Sequence, residues 1–217
     1  MSSIRIRYQT IEFNELDIHI RSLKDKQQFS DPLGEAEALG ISSAQWSLFG
    51  VIWESSEILA HKMQDFNIEG KRILELGCGL GLSSLLLNAR DADITATDYH
   101  PEAGKFLAQN VTLNKGGEIP FLRTDWKDEN LGLGKFDLII GSDLLYERNH
   151  IELLSEFINN HANSKCEVII VDPGRGNHSR FSKKMVELGY SHTQYKPEAL
   201  ENASKPFNGV VISYKRG

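Results

Sequence analysis

Three glycines, Gly77, Gly79 and Gly81, alternate with other residues in the stretch ILELGCGLGLS at residues 73–83. Glycines this dense after an apolar run let the backbone turn sharply and approach a ligand with no side chain in between. Such a turn, opening onto a helix, holds a nucleotide-like cofactor. The spacing restricts which one. A dinucleotide fingerprint wants glycine or alanine at position 82, where this chain has Leu82, and no Lys-Ser/Thr pair follows to make a phosphate-binding P-loop. Glu75, two residues before the first glycine, would repel a pyrophosphate and attract an ammonium or sulfonium. The expected ligand therefore has a small anionic part, such as an amino-acid carboxylate at the helix N-terminus.

Other chemistry-bearing residues fall at the ends of apolar runs. Asp98 comes 21 residues after Gly77, the position from which an acid accepts hydrogen bonds from ribose hydroxyls. Asp125-Trp126 follows a third run and Ser142-Asp143 a fourth, with Tyr146 three residues further on. In an open parallel sheet the ligand lies beyond the carboxyl ends of the strands, so these segments converge on one crevice.

The elements that must position them are legible as changes of period. Residues 4–23 alternate around Asn14-Glu15 and read as a β-hairpin. Residues 24–47 read as loop or short helical pieces. From Gly50 to Phe66, Val51, Ile58, Leu59, Met63 and Phe66 share a helical face. Beyond Gly70 the expected strands are 72–76, 93–97, 119–123, 136–141 and 167–171. Helices are expected over 101–115, with Pro101 at the first helical position, and over 148–161. Alternating strands and helices imply a parallel sheet covered on both faces. A helix over 180–188 and strands over 191–195 and 209–214 follow, the last two strands pairing as a hairpin so that the final one runs antiparallel. The expected division is an N-terminal extension, 1–49, and one α/β domain, 50–217.

Composition narrows the partners. A net charge of −6 and a pI near 5.7 argue against a nucleic-acid surface, which needs basic residues to displace counterions, and suit a basic protein or a small molecule. Two cysteines, Cys78 and Cys166, make neither a disulfide framework nor a zinc site, and the seven histidines include no metal-spaced pair. No metal is expected. No apolar run approaches the roughly 18 residues of a membrane span and the first residues lack a signal-peptide core, so the expected location is the cytoplasm. A monomer is favoured.

The pattern E-L-G-x-G-x-G followed by an acid after the second strand resembles class I S-adenosylmethionine-dependent methyltransferases. Trp53 ahead of the first strand, Asp125-Trp126, and Asp143-Leu-Leu-Tyr146 in a D-x-x-Y motif make the chain similar, more narrowly, to the seven-strand protein lysine methyltransferases. That resemblance covers roughly residues 8–217. It implies a Rossmann-like doubly wound sheet in the order 3-2-1-4-5-7-6, with the last strand antiparallel and an N-terminal hairpin. It implies that Gly77 and Gly79 approach the methionine part of S-adenosylmethionine and Asp98 its ribose. Trp126 would lie against the adenine with Asp125 near its amino group, while Trp53 and Ser142 line the pocket. Asp143 and Tyr146 become candidate catalytic residues that orient a lysine amine. Asp172-Pro-Gly-Arg175 is expected to form a rim over substrate access. The alternatives are a small-molecule N-methyltransferase, a nicotinamide-dependent oxidoreductase, which position 82 and Glu75 disfavour, and a non-catalytic cofactor-binding partner.

Overall fold

The computed structural model describes residues 4–128, 132–146, 150–198 and 206–217. It opens on the hairpin β1 (Ile6–Phe13) and β2 (Leu16–Leu23), paired from Ile6↔Leu23 to Phe13↔Leu16. Two short helices, α1 (Glu35–Ala38) and α2 (Ser43–Trp46), and a 3-10 turn over Ser47–Gly50 lead into α3 (Glu54–Gln64). Then come β3 (Arg72–Leu76), α4 (Leu82–Ala89), β4 (Asp93–Asp98), α5 (Ala103–Leu113), β5 (Phe121–Arg123) and β6 (Phe136–Ser142). The chain ends with α6 (His150–His161), β7 (Ala162–Asp172), α7 (His178–Glu187), β8 (Ser191–Tyr195) and β9 (Val210–Arg216).

Seven strands form one sheet in the order β5-β4-β3-β6-β7-β9-β8, with β9 antiparallel to both neighbours. Counted from β3 this is the expected 3-2-1-4-5-7-6. The central strands are apolar on both faces because helices cover both. Ile73, Ile94, Ala96, Leu138, Ile140, Ile169 and Val171 point into a core shared with α3, α4, α5 and the hairpin. Leu74, Leu76, Ile139, Val168 and Ile170 point into a second core shared with α6 and α7.

Several boundaries differ from the sequence expectation, each for a local reason. The helix expected from Gly50 starts at Glu54, because residues 47–50 form the 3-10 turn and Trp53 is the extended N-cap, whose N–H meets Ser56 Oγ at 3.3 Å. Val51 and Phe66 lie outside it. Pro101 precedes α5 rather than opening it: the Glu102 N–H donates to His100 Nδ1 and the Ala103 N–H to the His100 carbonyl, closing a turn first. Strand β5 begins after Pro120, which can accept from Ala96 N–H but has no donor of its own. Strand β7 starts five residues early, at Ala162, where polar side chains replace the apolar alternation: Asn163 Nδ2 donates to Asp137 Oδ1 at 2.6 Å and Arg216 donates to the Ala162 and Asn163 carbonyls. The expected start of the 148–161 helix lies outside the described residues.

The hairpin is fastened to α5 by two asparagines. Asn114 accepts from His19 N–H at 2.8 Å and donates to the His19 carbonyl at 2.7 Å. The fully buried Asn110 accepts from Arg21 N–H at 2.7 Å and donates at 3.3 Å to the carbonyls of Arg21 and Leu80.

Candidate active site

Beyond the carboxyl ends of β3, β4, β5 and β6 lies a cavity of about 550 Å³, roofed by the segment from Leu39 to Ser56. Its floor is the glycine loop. Gly77, Gly79 and Gly81 all have left-handed backbones, with φ of 59°, 55° and 75°, a region that costs an L-residue about 1–2 kcal/mol. Gly79 also has no room for a side chain: a Cβ there would stand 2.9 Å from the Phe49 carbonyl oxygen. The loop is held by Cys78 N–H on the Thr97 carbonyl at 2.9 Å and Gly79 N–H on Asp98 Oδ2 at 2.7 Å.

Of the ten residues expected at the site, nine line this cavity: Trp53, Gly77, Gly79, Asp98, Asp125, Trp126, Ser142, Asp143 and Tyr146. Glu75 does not. Its side chain, 4% exposed, turns to the helix face of the sheet and accepts from the backbone N–H of Ser84 at 2.9 Å and from the Ser84 hydroxyl. The reason is local. The N-cap of α4 is Gly81, which has no side-chain oxygen to offer, so the strand-end carboxylate caps the first turn in its place. Burial pushes the Glu75 carboxyl up to about 7. The cation-attracting role expected of Glu75 is therefore corrected: it shapes the loop from behind.

Asp98 ends β4 with both oxygens engaged, Oδ2 by Gly79 N–H and Oδ1 by His100 N–H at 2.8 Å. Burial raises its pKa against these backbone bonds. The cavity's two side-chain cations outside histidine are paired: Lys127 meets Asp125 at 2.9 Å, and Arg175 meets Asp143 at 2.5 Å. Burial pulls His100 down to about 4, so it is neutral. A pyrophosphate would find no free cation among the described lining residues. A ligand carrying a positive centre suits them better.

Trp53 donates its indole N–H to the Leu48 carbonyl at 2.9 Å, and the Lys26 ammonium sits 3.8 Å above its ring. Trp126 stands edge-on to His150, which meets the Tyr146 ring in the same way, at 5.2 and 4.7 Å between centroids. Tyr146 is half exposed at the cavity mouth. Asp143 has a left-handed backbone, φ 54°, and its N–H donates to the Val171 carbonyl at 2.9 Å. Arg175 grips its carboxylate with two parallel bonds, Nε to Oδ1 at 2.5 Å and a terminal NH₂ to Oδ2 at 2.7 Å.

Three lining features were not among the expected residues. Phe49 stacks on His100 at 3.9 Å and 17°, and Tyr99 donates its hydroxyl to the Leu39 carbonyl at 2.6 Å, tying the roof to the end of β4. Tyr99 and His100 directly follow Asp98, and that adjacency was the available signal. Phe49 sits in a short 3-10 turn and left none. The third is Arg175, expected only as a rim.

Residues 37–188 match the family described as lysine methyltransferase. The chain is 30% identical, over 79% of its own length and 66% of the relative's, to the electron transfer flavoprotein beta subunit lysine methyltransferase of Mus musculus. It is 35% identical, over 53% of its length and 40% of the relative's, to a histidine protein methyltransferase 1 homolog of Dictyostelium discoideum. The chain spans about half the length of the curated relatives it matches. Among solved structures, the T. thermophilus 16S rRNA methyltransferase RsmC, with AdoMet and guanosine, superposes over 100% of this chain and 52% of that one at TM-score 0.69 and 13% identity. The magnesium protoporphyrin IX methyltransferase of Synechocystis with bound SAM superposes at TM-score 0.58 and 21% identity, over 75% of this chain and 78% of that one. The fold is thus that of the S-adenosylmethionine-dependent methyltransferases. Because the family match runs from α1 through α7 and takes in every strand beneath the cavity, the chain belongs to the lysine methyltransferase family.

Proposed function

We propose that this protein is an S-adenosylmethionine-dependent methyltransferase that N-methylates a lysine side chain of a protein substrate. One observation carries the reading: the glycine loop with Asp98 and the Asp143–Tyr146 pair open into the same cavity, so a donor and an acceptor can meet there. The residues fit the cofactor. The side-chain-free cradle at Gly79 suits close approach of the methionine part, Asp98 suits the ribose, and Trp126 with Asp125 suits the adenine. Trp53 and Ser142 would close the pocket. When bound, S-adenosylmethionine would supply an electrophilic methyl on a sulfonium for in-line attack by a neutral amine, with S-adenosylhomocysteine as the leaving thioether and the surplus amine proton passing to solvent.

The chain's own part is orientation and proton control. Asp143 accepts a hydrogen bond from the incoming amine and aims its lone pair. Tyr146 narrows the mouth around the aliphatic stem and accepts or donates a hydrogen bond at the amine. Its half-exposed ring also suits a substrate arriving on a polypeptide rather than as a buried small molecule. The relatives named for lysine methylation and the acidic balance of the chain support a protein partner. Two buried free thiols support the cytoplasmic setting, and a monomer remains part of the proposal.

The test is to incubate the protein with [methyl-³H]S-adenosylmethionine and a cell lysate, then hydrolyse the labelled protein to amino acids. Label is expected in methyl-lysine and absent with Asp143→Ala, which keeps S-adenosylhomocysteine affinity. Label in methyl-histidine, in small molecules only, or unchanged in Asp143→Ala would overturn the reading.

A further inference from the structure

The Asp143–Arg175 contact is built, and its construction goes beyond a rim. Arg175 leaves β7 in a loop whose flanking glycines, Gly174 and Gly176, have φ of 94° and 84°. Gly174 N–H donates to Asp172 Oδ1 at 2.8 Å, and Asn177 Nδ2 donates to the Leu145 carbonyl at 2.8 Å. Asp143 N–H reaches back to Val171. The loop after β6 and the loop after β7 are therefore laced by a backbone bond, a side-chain amide and a bidentate ion pair. The carboxylate side chain is only 15% exposed, while the guanidinium is 44% exposed.

Methyl transfer to lysine sets a conflict for such a carboxylate. It must accept from the amine to aim it, yet an uncompensated anion beside an amine favours the ammonium, which has no lone pair to give. A carboxylate has about four acceptor sites, and the arginine fork takes one on each oxygen in a single plane. The other lone pairs stay open to an amine N–H while the charge is neutralised. Lysine in place of arginine would give charge without the fork.

We infer that Arg175 is a positioning residue of the methyl-transfer site, one that holds the Asp143 carboxylate flat and charge-compensated so that a substrate amine can bind it in the neutral form. This rests on the lysine reading above. Other charged or titratable groups face the pair: Asp172 with His178 at 3.7 Å from β7 and α7, Tyr146 and His150 at the mouth, the Asp125–Lys127 pair after β5, and Asp98 with His100 at the far end. Arg175 also interacts electrostatically with Asp172 and Tyr146, and Arg175→Lys keeps that charge, so the contrast between the Gln and Lys variants separates charge from fork.

The experiment measures single-turnover transfer from [methyl-³H]S-adenosylmethionine to lysate protein, with enzyme in excess, from pH 6.5 to 10. Label is counted as methyl-lysine. In Arg175→Gln the rate is expected to rise with pH along a limb displaced by about 1–2 units to the alkaline side, hence at least about tenfold slower at neutral pH, and to level off at the same lowered plateau as Arg175→Lys, since both lose the fork. Arg175→Lys should keep the wild-type limb at a lower plateau, since charge is kept and the fork lost. S-adenosylhomocysteine affinity and Tm of each variant should stay near wild type. A limb that does not move, an equal loss in both variants at every pH, or an Arg175→Gln enzyme faster than wild type throughout would overturn the inference. The last result would make the guanidinium an occupant that substrate expels. Failure of the lysine reading looks different: wild type itself would then yield no methyl-lysine.

Discussion

Replacing Glu75 by glutamine separates a loop-shaping acid from a cofactor-binding one. The buried carboxyl titrates at about 7 in the folded chain against 4.5 in the unfolded one. The folded state therefore holds its proton more tightly. The contribution of Glu75 to stability is fully present below pH 4.5 and is lost as the pH rises through 7, by about 3 kcal/mol at 1.36 kcal/mol per pH unit. Glutamine has the same shape and keeps one oxygen, which can accept both bonds from Ser84, so the cap on α4 survives without the buried charge. Urea unfolding of both proteins at pH 5 and pH 8, followed by tryptophan fluorescence, should show near-equal stability at the lower pH. At the higher pH Glu75→Gln should be more stable, by up to about 3 kcal/mol, and S-adenosylhomocysteine affinity by calorimetry should stay within about threefold. Titrating groups outside the reach of Glu75 cancel in the comparison, while Asp98 and Cys78, which its charge pushes upward, relax in the same direction. A stability difference that ignores pH, or a tenfold loss of affinity at unchanged stability, would refute the capping account and return Glu75 to the cofactor.

Gly79→Ala forces an L-residue to φ 55° and a Cβ against the Phe49 carbonyl; at about 1–2 kcal/mol for the backbone alone, S-adenosylhomocysteine should bind at least tenfold more weakly by calorimetry, and unchanged affinity would move the cofactor off this loop. Trp126→Ala removes an aromatic face worth about 1–3 kcal/mol to a stacked base, so affinity for the same ligand should drop about 10- to 100-fold. Asp98→Asn leaves an amide NH₂ facing one of two backbone donors, Gly79 or His100; thermal unfolding should report a loss of about 1–3 kcal/mol, accompanied by weaker ligand binding.

Much of this was legible because the signals were backbone signals. The run ILEL ending at a glycine marks both ends of β3, and Asn14 at φ 38° marks the hairpin turn, since asparagine tolerates that region. Strand order follows from the resemblance, and the antiparallel β9 from the missing helix between the last two strands. Glu75 misled because a strand-end acid beside a glycine turn has two faces to choose from. Which one it takes depends on the glycine at the N-cap of α4, a deficit visible only once the helix start is known. Phe49 was missed, and Arg175 was read only as a rim, for a related reason: their pairings are with residues 51 and 32 positions away, His100 and Asp143, and no period in the sequence encodes such a pairing.

Asn110 of α5 and Asn114 at its C-cap do for the hairpin what a third strand would do. Their amides present a donor and an acceptor at alternate residues of β2, His19 and Arg21, and so seal an edge that would otherwise be open to pairing with another chain. One of them also grips the carbonyl of Leu80, inside the glycine loop. The first strands are therefore a splint for the cofactor turn: peeling the hairpin away would strand a fully buried amide and loosen the loop about 60 residues downstream, so a binding defect could originate in β2, which contributes no residue to the cavity lining.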